Sequence, residues 1–306
     1  MSRPSIHVAV LKGGWSAERE VSLDSGAACA DALRTAGYRV TEIDADPGLA
    51  AQLQALKPDV VFNALHGRWG EDGCVQGLLE LMGLPYTHSG VRASAMAMHK
   101  PSSLAVFRAN NIPCPDGYLT TVEAVNEKDP LPRPFVVKPP NEGSTFGVRI
   151  VRSGDNNPPI GPDWQFSEDV LAEPFIPGRE LTVAVMDGRA LGVTEIRTEG
   201  GFYDYEAKYT EGGSQHLLPA PIHADIYAQA MELSERAHVA LGCRGVSRAD
   251  FRYDDTLGEP GNLYMLEVNT QPGMTQTSLV PELAALCDID FPALVHWMVE
   301  DAGCAR

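Results

Sequence analysis

Residues 6–11 form a largely apolar run that stops at Gly13-Gly14, the pattern of a buried strand entering a glycine turn. Ser16 then precedes a helical pattern, with Glu18, Arg19 and Glu20 in its first turns and Gly37 at its end. Residues 38–43 read as a second strand, 49–56 as a short helix and 60–62 as a third strand. Strands alternating with helices predict a parallel sheet with crossover helices. The loop His66-Gly67-Arg68-Trp69-Gly70-Glu71-Asp72-Gly73 leads into a helix through Leu78, Leu79 and Leu81. Residues 93–109 read as a helix whose main segment starts near Pro101, and 112–134 as a stretch rich in proline and turn residues.

From Phe135 the texture changes to that of an α+β region. Short strands are predicted at 135–138, 148–151, 170–173, 180–186 and 190–196, with Asp187-Gly188 as the hairpin turn between the last two. Residues 200–213 hold four glycines and three tyrosines without a clear period, and read as a long loop of the kind that forms lids. Residues 225–241 give the clearest helix: Ile226, Ala230, Leu233, Ala237 and Leu241 share one face, and Gly242 closes it. Strands at 245–253 and 263–269 and a helix at 291–299 complete the pattern.

Composition narrows the class. The 306 residues are 44% hydrophobic and 21% charged, as in a folded protein of about two domains, or three small ones. With 24 basic and 41 acidic residues the net charge is −17, which argues against nucleic-acid and anionic-membrane partners. Neither a membrane-length apolar run nor the long apolar core of a signal peptide is seen, so a cytoplasmic protein is expected. The six cysteines form no C-x-x-C pair and are expected to be reduced, mostly small core residues.

The motifs for a P-loop, a dinucleotide fingerprint, a nucleophile elbow and a zinc protease are all missing. What remains is specific. Glu267 and Asn269 are two apart on a predicted strand and so face the same side, as do Arg248 and Asp250 on the strand before it. If these strands pair, Asp250, Glu267 and Asn269 offer hard oxygen donors of the kind Mg²⁺ prefers; otherwise they are the polar face of a half-exposed sheet. Lys138 ends a strand and enters Pro139-Pro140-Asn141-Glu142-Gly143-Ser144-Thr145-Phe146-Gly147, a loop able to cradle phosphate oxygens or to be an ordinary hairpin. The turn at Gly13-Gly14 opens a helix, an anion-friendly place in which Glu18 could instead hold a substrate ammonium or simply favour the helix N-terminus. Phe202-Tyr203-Asp204-Tyr205-Glu206-Ala207-Lys208-Tyr209 is a strand edge or a lid, and His66 a substrate contact or a structural histidine.

Taken together, GGWSAEREVS at 13–22, ALHGRWGEDG at 64–73, GLLELMGLPY at 77–86, residues 138–147, FYDYEAKY at 202–209 and LEVNTQPGMTQTSLVP at 266–281 resemble the D-alanine–D-alanine ligases of the ATP-grasp superfamily. The likeness runs in order over nearly the whole chain. It implies an α/β and α+β molecule with the ATP-grasp fold. An N-terminal parallel-sheet substrate-binding domain would span 1–93, a small central α+β domain 94–177, and a C-terminal α+β catalytic domain 178–306, with a lid loop at 200–215.

The resemblance also implies roles. ATP would lie between the two antiparallel sheets, with Lys100, Lys138 and Lys208 among the nucleotide contacts, Glu173 on the adenine amino group, Phe175 and Ile176 lining the adenine pocket, and Glu180 on the ribose. Asp250, Glu267 and Asn269 would hold two Mg²⁺, with Mn²⁺ as a substitute; a monovalent-cation requirement fits the family but is not readable from the residues. Glu18 would anchor the first D-alanine's ammonium, with His66 beside it. Arg248 and the Gly273 N–H would meet the oxyanion, and Ser278 and the Leu279 N–H would grip the second D-alanine's carboxylate. Ser144, Tyr209 and Glu18 would tie the lid shut. The product would be D-alanyl-D-alanine for peptidoglycan, made through a D-alanyl phosphate, by a cytoplasmic homodimer.

Some positions depart from the family pattern: Pro174 and Pro177 at the adenine hinge, Lys12 and Trp15 at the first glycine turn, and His99 and Gln276. Pro174 has no N–H, so any adenine contact there uses a carbonyl or comes from Ile176. The nearest alternatives are a ligase that accepts D-lactate or D-serine, against which Tyr209 argues, and a nonenzymatic nucleotide-binding protein, against which the intact Lys138, Arg248, Asp250, Glu267 and Asn269 argue.

Overall fold

The computed structural model of the chain describes residues 6–143, 145–198 and 213–305. The first sheet is parallel, with β1 (His7–Lys12) between β2 (Arg39–Asp44) and β3 (Val60–Asn63). Its central strand is buried along almost its whole length because helices cover both faces, which is why it reads as a continuous apolar run. On one side Ala9, Leu11 and Val61 meet α2 (Leu49–Leu56) and α3 (Cys74–Met82) through Leu49, Leu53 and Leu79. On the other, Val8, Val10 and Phe62 meet α1 (Arg19–Thr35) and, from the far end of the chain, α8 (Leu279–Leu286) and α9 (Phe291–Asp301). The N-terminal sheet therefore shares a core with the C-terminal helices.

A four-stranded antiparallel sheet follows, in the order β4 (Tyr118–Thr121), β7 (Asp169–Pro174), β5 (Phe135–Lys138), β6 (Arg149–Val151). It packs Phe135, Val137 and Val170 under α6 (Val122–Glu127). The largest sheet, also antiparallel, runs β10 (Ser214–Leu217), β9 (Arg189–Thr198), β8 (Arg179–Met186), β11 (Val246–Asp254), β12 (Asn262–Asn269). One face is covered by α4 (Val91–Met98), α5 (Lys100–Ala109) and α7 (Ala224–Leu241), whose predicted apolar stripe is buried in full. Asp187 and Gly188 both take positive φ, 52° and 72°, as the tight β8–β9 hairpin requires.

Several expectations are corrected. The helix read across 93–109 is two helices, α4 and α5, because His99 is extended and Pro101 sits in the first turn of the second, where its missing N–H costs nothing. Residues 112–134 contain β4 and α6, too short and too exposed to leave a period. Helix α8 was not predicted, since Pro281 interrupts its pattern. The cysteines are free, but only Cys29 and Cys243 are buried; Cys74, Cys287 and Cys304 are exposed at helix ends or in the C-terminal tail, where no core surrounds them. No described helix is long and apolar enough to cross a membrane.

Candidate active site

The end of the largest sheet places the acidic strand residues. In the β11–β12 ladder Asp250 lies directly opposite Glu267, and Arg248 opposite Asn269. Like charges in direct cross-strand register are unfavourable unless cations accompany them. Here Arg248 donates two bonds to Asp250, at 2.9 and 2.6 Å, and the Lys100 Nζ stands 3.4 Å from Glu267. Thr182 on β8 also donates to Asp250, at 2.7 Å. Among the described residues no three His, Cys, Asp or Glu side chains gather in a metal-binding group. The oxygen set fits a hard divalent ion only when Asn269 is counted with the two carboxylates. Its side-chain oxygen accepts from the Gln271 N–H at 2.7 Å and keeps a second lone pair.

Between the two antiparallel sheets lies a cleft lined by Lys138 and Ile150 from the small sheet, Glu173 to Ile176 at its exit, and Glu180, Arg252 and Glu267 from the large one. Lys138 and Glu173 are both buried and hydrogen-bonded at 2.5 Å, so this mostly apolar cleft keeps its charges paired. Phe175 donates its N–H to Pro134 and the flanking prolines have none. Ile176 thus carries the other N–H of the hinge residues 174–177. Arg252 braces this hinge, donating to the Ile176 carbonyl at 3.1 Å and the Gly178 carbonyl at 2.7 Å, with Glu180 3.6 Å from it.

A second, larger cleft of 1140 Å³ adjoins the first, and Lys100, Glu142 and Glu267 line both. Lys100 is buried at the start of α5; its Nζ donates to the Glu142 carbonyl at 2.5 Å and its N–H to the Pro140 carbonyl. The N-terminal unit contributes Glu18, His66 and Glu71 to this cleft, and the C-terminal unit Arg248, Gly273, Ser278 and Leu279. Glu18 occupies the N-cap position of α1 and is buried; a side-chain carbon at Gly67 would stand only 2.6 Å from its carboxylate. The Ser278 hydroxyl accepts from the Thr275 N–H at 3.0 Å at the N-terminus of α8, and Leu279 opens that helix.

The His66 ring meets the Ser25 hydroxyl through Nε2 at 3.2 Å and also bonds the Gln271 backbone. Burial lowers its pKa to about 4, so the ring is neutral at physiological pH. Glu71 was not singled out from the sequence, yet it is buried beside Glu18. Burial first, and the Glu18 charge next, push it well above the usual carboxylate range, while it accepts the Gly67 N–H at 2.8 Å. Its one legible signal was its place in a glycine-rich loop. Ser144, Lys208, Tyr209 and the bulk of the expected lid lie outside the described residues.

A family model described as the D-ala D-ala ligase C-terminus matches residues 116–300, and one described as the D-ala D-ala ligase N-terminus matches 47–89. The chain belongs to the D-alanine–D-alanine ligase family. Relatives of that name from Parvibaculum lavamentivorans and Paramagnetospirillum magneticum are 60% and 62% identical. The first alignment covers 98% of each chain, the second 98% of this chain and 99% of the relative. A solved D-alanine–D-alanine ligase from Bacillus anthracis superposes with a TM-score of 0.83 at 32% identity, covering 97% of each chain. The same enzyme complexed with ATP gives 0.80 at 30%, covering 97% of this chain and 96% of that one. The expected ATP-grasp architecture is therefore present.

Proposed function

We propose that this chain joins two D-alanine molecules into D-alanyl-D-alanine at the expense of ATP, supplying a peptidoglycan precursor. The observation that carries the reading is the shared wall of the two clefts, where Lys100, Glu142 and Glu267 meet both the nucleotide side and the amino-acid side. A carboxylate is a poor electrophile, because its charge is delocalised. Transfer of the γ-phosphoryl group to the first D-alanine's carboxylate oxygen gives an acyl phosphate and ADP. The second D-alanine's amine then attacks the acyl carbon, and phosphate leaves.

The residues divide this work. Lys100 and Lys138 offset phosphate charge, Glu173 and the Phe175–Ile176 hinge take the adenine, and Glu180 takes the ribose. Asp250, Glu267 and Asn269 would hold Mg²⁺, two ions per site by family likeness, with Mn²⁺ as a substitute. When bound, the metal offsets charge on the transferring phosphoryl group. Glu18 anchors the donor ammonium, and the neutral His66 shapes the wall beside it. Arg248 and the Gly273 N–H face the developing oxyanion. Ser278 and the Leu279 N–H receive the acceptor carboxylate at a helix N-terminus, where an anion is favoured. Closure of a lid carrying Lys208 and Tyr209 over Ser144 keeps water from the acyl phosphate.

The same reading sets domain boundaries at 93/94 and 177/178, supported by one sheet falling in each segment. It makes the protein a cytoplasmic homodimer, for which sedimentation is the direct test. The activity test is phosphate release from Mg-ATP with D-alanine, L-alanine, or D-alanine plus D-lactate, the products identified by mass. Phosphate and a dipeptide from D-alanine alone are expected. A preferred depsipeptide would reassign the acceptor, and no phosphate with any of them would overturn the reading.

A further inference from the structure

We propose that Gln271 is a positioning residue for the ligase reaction, acting through a buried amide clasp with Asn63 on the N-terminal sheet. The inference rests on the ligase reading and adds a residue to it. Gln271 is two residues from Asn269 and two from Gly273, between a metal-ligand candidate and the oxyanion N–H. It is 1% exposed, lines neither cleft and points into the seam between the sheet units. Its side-chain oxygen accepts from Asn63 Nδ2 at 2.9 Å, and its side-chain nitrogen donates to the Leu65 carbonyl.

Asn63 is fully buried at the end of β3. Its other N–H goes to the Gly70 carbonyl at 2.9 Å and its oxygen accepts the Leu65 N–H at 3.2 Å. Each side-chain oxygen and nitrogen of both amides thus makes at least one hydrogen bond, and a buried network engaged in this way favours one arrangement. The rest of the loop is gripped from the same side: His66 bonds the Gln271 backbone, and the Ser25 hydroxyl accepts the Met274 N–H at 3.2 Å. The loop that carries Gly273 is therefore placed by the sheet unit that carries Glu18 and His66. Donor anchor and oxyanion donor sit on different units, so something must set their spacing. The clasp spans 208 residues of sequence to do so. A misplacement of about 1 Å in such a pair costs on the order of 100-fold in rate.

The test compares wild type, Gln271→Met, Asn63→Leu and the double variant, by steady-state kinetics and by the ratio of ATP consumed to dipeptide formed. Gln271→Met keeps the side chain's length and removes the amide. We expect kcat to fall about 10- to 100-fold, with KM for ATP within about twofold because the clasp does not line the nucleotide cleft, and with more ATP consumed per dipeptide. The double variant should lose less than the sum of the two single losses, since the bond the partners share is counted once, while Asn63→Leu adds the loss of its own bonds to Gly70 and Leu65. If Gln271→Met does not fold, Gln271→Asn, which is too short to reach both Asn63 and Leu65, is read in the same way. Wild-type kcat and coupling in the folded variant, or additive losses in the double variant, would overturn the inference. If wild type itself makes no dipeptide, the ligase reading fails, whatever the variants do.

Discussion

Asp250 and Glu267 face one another across a single ladder step, and each is met by a cation of the chain itself, Arg248 and Lys100. Two carboxylates in that register are tolerated because charge of the opposite sign is built in beside them, and a divalent ion would take over that task. Glu267→Gln keeps the side chain's shape and its room for Lys100 but removes the charge. Turnover should fall by about 100-fold or more, with the circular-dichroism spectrum and melting temperature close to wild type. Wild-type-like turnover would remove Glu267 from the metal set.

At the scale of the element, the hinge after β7 shows how a loop without its usual N–H groups is kept in place. Arg252 on β11 holds two of its carbonyls, and the residue fits because Gly178 turns with φ +90° tight against the Tyr253 carbonyl. Arg252→Met should raise KM for ATP about tenfold, the effect of losing hydrogen bonds to a charged group, and leave KM for D-alanine within about twofold. Equal changes in both would mean that Arg252 serves the fold rather than the nucleotide side. At Gly178 a side-chain carbon would lie 2.1 Å from the Tyr253 oxygen. Gly178→Ala should therefore lower stability by about 1–3 kcal/mol, read as an earlier urea midpoint; an unshifted midpoint would show that the turn relaxes freely.

For the whole molecule, two buried histidines tie stability to pH. Burial is the larger cause at both, and it lowers His66 and His238 to about 4. Unfolded, each would bind a proton near 6.5. The folded form therefore has its full advantage above pH 6.5 and loses it as pH falls toward about 4. The histidines' share of the urea midpoint should be nearly flat from pH 8 to 7 and drop below 6.5, against the opposite slope of Glu71, whose raised carboxyl takes up a proton on folding. His238→Gln, which can still meet the Ser247 hydroxyl now 2.8 Å from the ring, should make that drop shallower. An unchanged slope would assign the acid sensitivity elsewhere.

The sequence by itself determined the elements whose residues face consistent surroundings along their length: the buried β1, the striped α7, the hairpin at Asp187-Gly188, and the alternation that puts Glu267 and Asn269 on one side of β12. These follow from periods of 2 and 3.6 residues and from turn chemistry, all local. It did not yield β4, α6 or α8, which are short, exposed or interrupted by proline. Nor did it yield Glu71, Arg252 or the Asn63–Gln271 clasp, since nothing local says that a loop glutamate is buried or that two amides 208 residues apart share a bond. Only the tertiary structure decided the register that sets Asp250 against Glu267, and which unit holds the Gly273 loop. The physical reason is that strand pairing and buried hydrogen bonds reward partners that are near in space, and the chain's order carries no record of that distance.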